Sequence, residues 1–323
     1  MRVILSLRPL LLVVCFTCFA APAFAKTLPE VQAMVESKAS GALSAAEALT
    51  KVTPNDANAW VMLTRARLQA KQAEKAIAAG EKATALGAKN AQAFYWLGNA
   101  YGNRIGEVGM LSKMTMAPKL RDAFEQAVKL DPALIDARAS LIEFYLQAPG
   151  AIGGGIDKAR AQASTIAKYD RAKGLMAQAR IAMHEKKPAD ALKAYESAYA
   201  LKPNDMQIRL SLILVYQEAK RWKDAYALAR QWSVEEPRKA KPWYQIGRLA
   251  AESGQYLAEG EVAMRNYLKL GREAGDPEPK HAHYRLGQIL AKSGRRDEAR
   301  VELQAALKMD PKLAEAKAAL AAL

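Results

Sequence analysis

Over Lys280–Leu313 the chain reads KHAHYRLGQILAKSGRRDEARVELQAALKMDPKL, and the spacing within that stretch leaves few folds open. His283, Leu286 and Leu290 stand three and four residues apart, so a helix puts them on one face. Ser293-Gly294 interrupts that helix, because glycine accepts a turn that other residues resist. Asp297 and Glu298 then suit the first turn of a second helix, where the dipole end is positive. Lys308 suits its last turn and Pro311 stops it. Gly287, Ala299 and Ala306 are small where two helices lying back to back must approach closely.

The same spacing returns upstream in 57–90, 91–134, 135–171, 172–205, 206–239 and 240–271. Trp60, Leu63 and Ala76 mark one copy, and Phe94, Leu97, Gly98, Tyr101 and Pro132 the next. Leu141 and Tyr145, then Ala191, Ala198 and Pro203, then Tyr216, Ala225 and Pro237, then Trp243, Gly247 and Met264 mark the others. Trp232 stands where a small residue is expected. This layout resembles the tetratricopeptide repeat (TPR), a 34-residue unit patterned W-x2-L-G-x2-Y, then A-x3-F-x2-A, then P. The resemblance covers nearly the whole chain from Ala57 onward. It implies an all-α fold in which antiparallel helix pairs stack into a right-handed superhelical solenoid.

Residues 26–56 carry two short helical stretches, Pro29–Ser37 and Ala42–Thr50, split by Ser40-Gly41, and are expected to form a degenerate capping repeat. Residues 314–323 are expected to form a lone helix covering the last pair. Residues 1–25 have the pattern of a cleaved secretory leader: Arg2 and Arg8, an apolar Leu10–Ala20, and Ala23-Phe24-Ala25. Cys15 and Cys18, the only two cysteines, lie inside it, so the mature chain has no disulfide and no thiolate metal site. The expected location is the periplasm. The chain holds 48 Lys and Arg against 33 Asp and Glu; without residues 1–25 the excess is 13, and the middle, Asp157–Lys239, with 17 basic and 10 acidic residues, holds most of it. Basic and acidic residues alternate at helical spacing without long runs, as on a solvated helical surface.

No HExxH, Ser/His/Asp set or paired acids in a recognisable frame appears, so neither catalytic residues nor a metal or cofactor are expected. Pro149–Gly155 (PGAIGGG) lacks the GK[ST] ending of a phosphate-binding loop and reads as a long interhelix turn capped by Asp157. His283 sits at a packing position. From the resemblance, first-helix positions of each repeat line a concave surface. They include Arg65, Tyr95, Asn99, Glu143, Lys173, Arg180, Tyr244, Arg248, Tyr284 and Gln288. The lysine–asparagine clamp of chaperone-binding TPR proteins is absent, because Val61 and Arg65 stand in its place. The inserted stretch Gly102–Lys119 is too apolar for a solvated loop and is expected to fold back as an extra turn or short helix. Its Met110, Met114 and Met116 suit an adaptable partner contact better than a soft metal, since no histidine accompanies them.

The expectation is a non-catalytic scaffold of the bacterial envelope that holds an extended protein or peptide segment in its concave groove. Nucleic acid is not an expected partner. The competing expectation is a structural or oligomerising envelope component whose basic surface meets a membrane or an acidic polymer.

Overall fold

In the computed structural model, residues 26–273 and 275–323 are described; the stretch expected to be a leader, residues 1–25, and both cysteines lie outside them. Among the described residues the chain is helical, with no strand. The helices, in order, are α1 (Leu28–Glu36), α2 (Ala42–Val52), α3 (Ala57–Gln69), α4 (Ala73–Leu86), α5 (Ala91–Ile105), α6 (Met110–Leu130), α7 (Ile135–Gln147) and α8 (Ile156–Tyr169). They continue as α9 (Arg171–His184), α10 (Pro188–Leu201), α11 (Met206–Glu218), α12 (Trp222–Glu235), α13 (Ala240–Ser253), α14 (Leu257–Leu270), α15 (Pro279–Lys292), α16 (Arg296–Met309) and α17 (Ala314–Ala321). Each packs against the next, and among the described residues every substantial contact lies between helices adjacent or next-but-one in the chain, so the molecule is a superhelix of helix pairs.

Three local devices recur along the stack. Four first helices start on a carboxylate or amide: the side chains of Asp56, Asn90, Asp170 and Asp205 accept from backbone N–H groups of the first turn, whereas α7, α13 and α15 start without such a cap. Within the pair, a small residue of the first helix receives a large one from the second. A Cβ added to Gly98 would lie 2.5 Å from the Phe124 ring, and one added to Gly287 2.7 Å from Leu303. The turn between the two helices needs a left-handed residue, and the chain often supplies lysine there. Lys71, Lys186 and Lys220 have φ of 57°, 60° and 56°, where Gly294 has 79°.

Two further bonds tie a pair to the one before it. Indole or guanidinium N–H groups on the first helix donate to the carbonyl of the proline that ended the preceding repeat. The bonds run from Trp60 to Pro54 (2.8 Å), Arg138 to Pro132 (2.8 Å), Arg209 to Pro203 (2.5 Å) and Trp243 to Pro237 (2.9 Å). Tyrosine hydroxyls donate to glutamates of the previous second helix: Tyr101 to Glu81 (2.9 Å), Tyr145 to Glu125 (2.8 Å) and Tyr216 to Glu196 (3.0 Å). Burial, then the hydrogen bond to Glu196, pushes the Tyr216 hydroxyl up to about 12, so it keeps the proton it donates. The apolar core is accordingly a string of separate clusters, one under each few helices.

Where the sequence breaks the period, the structure differs from expectation in two ways. The stretch 102–119 forms no separate short helix. It lengthens the pair itself: α5 runs 15 residues, and α6 runs 21 against the 14 of α4, α10 and α12. The apolar residues of this stretch recur at helical spacing, and α6 continues past Pro118 to Leu130. The PGAIGGG segment holds one 3-10 turn, Gly150–Ile152, and ends on Gly155, which is itself the residue preceding α8. Asp157 is therefore not the cap. It stands in the first turn, exposed, and pairs with Arg160 at 2.9 Å. At the far end, α17 covers Leu303 and Leu313.

Candidate functional site

First helices differ in how closely they pack on one another. α3 packs directly on α5, and α13 on α15, but α5 and α7 make at most marginal contact, as do α9 and α11. The concave side is tightest over α13 and α15, where that packing is direct, and more open across α7, α9 and α11, where α7 touches α9 only lightly. This sorts the candidate residues.

Tyr244 lies in the closed part. It is 7% exposed, packed at a tilt against Tyr267 at 5.1 Å, and burial raises its hydroxyl above the ordinary value. Arg248 beside it is largely buried, and burial lowers its guanidinium below the usual value while Glu252 opposes that. The direct packing of α15 on α13 covers Tyr244 and leaves Arg248 only partly exposed. Tyr284 and Gln288 bond each other (2.8 Å) on the same stretch, and the Gln288 oxygen accepts from Arg285 (3.0 Å). His283 is half-buried between α15 and α16, its Nδ1 2.6 Å from Glu302. At the other end, Arg65 lies over the Trp96 ring at 4.8 Å, 3.8 Å from Glu36.

The middle of the solenoid is open. A groove of about 590 Å³ crosses α7, α9 and α11. Its floor is Ile142, Ala177 and Tyr195, and its edges carry Asp136, Lys173 and Gln207. Arg180 spans it in a two-point bond to Glu143, Nε to Oε1 at 2.6 Å and Nη2 to Oε2 at 2.8 Å. Those hydrogen bonds raise the Arg180 guanidinium, and burial raises the Tyr195 hydroxyl beneath. Lys173 is exposed and has no ion-pair partner among the described residues. The structure thus brings Glu143, Lys173 and Arg180 together. Periodicity indicated the positions; only the uneven packing of first helices decides which remain accessible.

A second opening adjoins the first at Glu143. This cleft, about 670 Å³, lies between the C-terminal ends of α5 and α7 under the added turns of α6. Asn99, Glu143, Met110 and Met114 all line it, although the sequence placed them in separate groups. Met116 does not line it. Tyr95 backs this region, tilted against Phe124 at 6.0 Å, with its hydroxyl raised by burial.

A curved stack of antiparallel helix pairs with an open inner face defines the class as a helical-repeat solenoid. Models described as tetratricopeptide repeat match residues 33–91 and 153–205, 182–246, and 281–313. The chain belongs to the tetratricopeptide repeat family. Among solved structures, it is similar to a thermophilic TPR protein of Thermus thermophilus at 18% identity, covering 59% of this chain and 95% of that one, with a TM-score of 0.49. It is also similar to the APC/C hetero-tetramer Cut9–Hcn1 at 16% identity, covering 87% of this chain and 52% of that one, TM-score 0.49. A tetratricopeptide repeat protein of Parabacteroides merdae is 11% identical, covering 82% and 97%, TM-score 0.49. No curated protein matches the sequence. The tetratricopeptide fold generally mediates protein–protein interaction, and proteins built from it are typically non-catalytic scaffolds. Among the described residues no helix is long and apolar enough to cross a membrane.

Proposed function

We propose that this chain is a non-catalytic scaffold of the bacterial cell envelope that binds an extended segment of a partner protein in the concave groove over α7, α9 and α11. The supporting observation is the groove itself: an apolar floor, a charged Glu143–Arg180 crossbar and an unpaired Lys173 among the described residues, all presented by rigid helices. Such a lining fits a peptide, whose side chains use the floor while its amides and carboxylates use the rim. The groove runs across three helices rather than closing into the kind of pocket that suits a small metabolite.

The test is recovery of a partner from envelope extract by the full chain, compared with Lys173→Glu combined with Arg180→Glu. Both side chains are exposed, so the fold is expected to survive. Loss of the partner is the expected result, and unchanged recovery would overturn the groove assignment. The envelope location rests on the leader pattern of residues 1–25. Protein isolated from its cells is expected to begin at Lys26; a chain that begins at Met1 and fractionates with the cytosol would remove it.

A further inference from the structure

The segments 102–119 and 149–155, which break the repeat period, meet across one cleft. Arg121 joins them: its Nη1 donates to the Ile152 carbonyl (3.1 Å), and a Cβ on Gly153 would stand 2.5 Å from that same nitrogen. The cleft between them is apolar, floored by Leu120, Phe124 and Phe144 and walled by Ile105 and Ile152. Its volume falls within the roughly 300–1,000 Å³ of ordinary binding pockets. Both departures from the repeat therefore serve one opening.

We propose that this cleft anchors the partner segment held in the groove, and that the segment inserts a short cluster of large apolar side chains here, next to an acidic residue. This rests on the groove reading, which it deepens by naming the chemistry of the partner. Continuity supports it, since Glu143 lines both openings and one chain can pass from one to the other. Charge supports the acidic neighbour: Lys113 lines the mouth and has no carboxylate within 4.0 Å among the described residues. The polar groups favour a peptide over an acyl chain. Asn99 and Asn103 give their NH2 groups to carbonyls of α5, and Gln147 gives its own to Glu143. Their amide oxygens have no donor among the described residues and so remain to accept peptide N–H groups, which a hydrocarbon lacks. The surface also continues outward, for Met110 at the rim is 74% exposed and Leu111 next to it 79%. Methionine there adapts to an irregular apolar partner.

The test selects random displayed peptides on the full chain and measures the selected sequences by fluorescence anisotropy. Wild type is compared with Met114→Glu, with Ala151→Trp, which fills the cleft from its rim, and with the groove variant Lys173→Glu plus Arg180→Glu. Met114 and Ala151 are exposed, so neither change strains the core. Selected peptides are expected to share an apolar cluster beside an Asp or Glu. Each cleft variant is expected to weaken them about tenfold or more, and Met114→Leu to keep binding. Cleft variants within about twofold of wild type, with the groove variant weakened, would overturn the inference and leave the groove reading standing. The reverse pattern would overturn the groove reading and with it a single segment through both openings. A library that yields no binder also overturns the inference. If dodecanoate then binds and Ala151→Trp abolishes that, the cleft belongs to acyl chains.

Discussion

Arg209 and Arg138 hold in their repeats the place that Trp60 and Trp243 hold elsewhere, and all four deliver an N–H to the carbonyl of the preceding proline. Arg209 is 1% exposed, lies 5.6 Å from the Trp232 ring centre, and donates from Nη2 to Asn204 and Glu235 and from Nη1 to Glu236. Trp232 is thus the large residue that packs where an arginine replaces the tryptophan. The oversized Trp232 was legible in the sequence; its partner was not, because an arginine reads by default as a surface residue. Arg209→Ala is expected to cost about 2–3 kcal/mol in urea unfolding, through lost packing and an unpaired proline carbonyl. The carboxylates it leaves are half-exposed and can be rehydrated, which keeps the loss below that of a fully buried pair. Asp170 offers a pH handle. Burial raises its carboxyl, but hydrogen bonds from Lys202 (2.7 Å) and the Lys173 N–H (3.1 Å) outweigh that and hold it below the ordinary value. Its contribution is therefore present above the ordinary carboxyl pKa of about 3.9 and is lost as pH falls through the lowered folded value. Asp170→Asn keeps a cap but not the charge. Its urea midpoint is expected to fall less steeply than that of wild type between about pH 5 and pH 2.

At the scale of single helices, close approach and turn geometry decide most of the energetics. Ala198 and Ala225 are fully buried on second helices, so Ala198→Arg or Ala225→Arg is expected to cost about 3 kcal/mol by overpacking and a buried charge. Unchanged thermal melting of both would contradict the packing described. The left-handed lysines are a smaller effect of opposite sign. Lys220→Gly relieves about 1–2 kcal/mol of backbone crowding but adds about 0.4–1 kcal/mol of unfolded-chain entropy, so a net gain of about 0.5 kcal/mol is expected in the chemical midpoint. Helix existence was legible from the spacing of Leu286 and Leu290 or of Ala191 and Ala198. The added turns of α6 were less so, because Gly109 and Pro118 read as breaks although Met110, Met114, Ala117 and Phe124 keep one face. Tyr244 and Arg248 show the limit for the site. A first-helix position is fixed by the repeat, but whether it meets solvent depends on how near the next first helix lies.

Across the whole molecule, stability is a sum over neighbours, because the clusters of the core are local. Removing 314–323 uncovers Leu303 and Leu313, which are 1% and 8% exposed in the intact chain. At about 25 cal/mol per Å² this is a loss of about 2–3 kcal/mol. Calorimetry is expected to show a melting point lower by several degrees and hydrogen exchange accelerated chiefly in α15 and α16. The solenoid as such was legible from period alone; its two irregularities were legible as positions but not as a shared cavity, since 102–119 and 149–155 are brought together only by the folding of α6 against the 3-10 turn. The overhang of α6 has one more consequence. Seven residues make nearly two full turns at 3.6 residues each, so the added part returns to the angular register of the part below it, about 20° short. A chain of this kind can therefore gain or shed the overhang as a heptad without rotating Phe124 and Ala127 out of their seats. Shortening it by two or by five residues would swing the methionine-bearing wall to the opposite side.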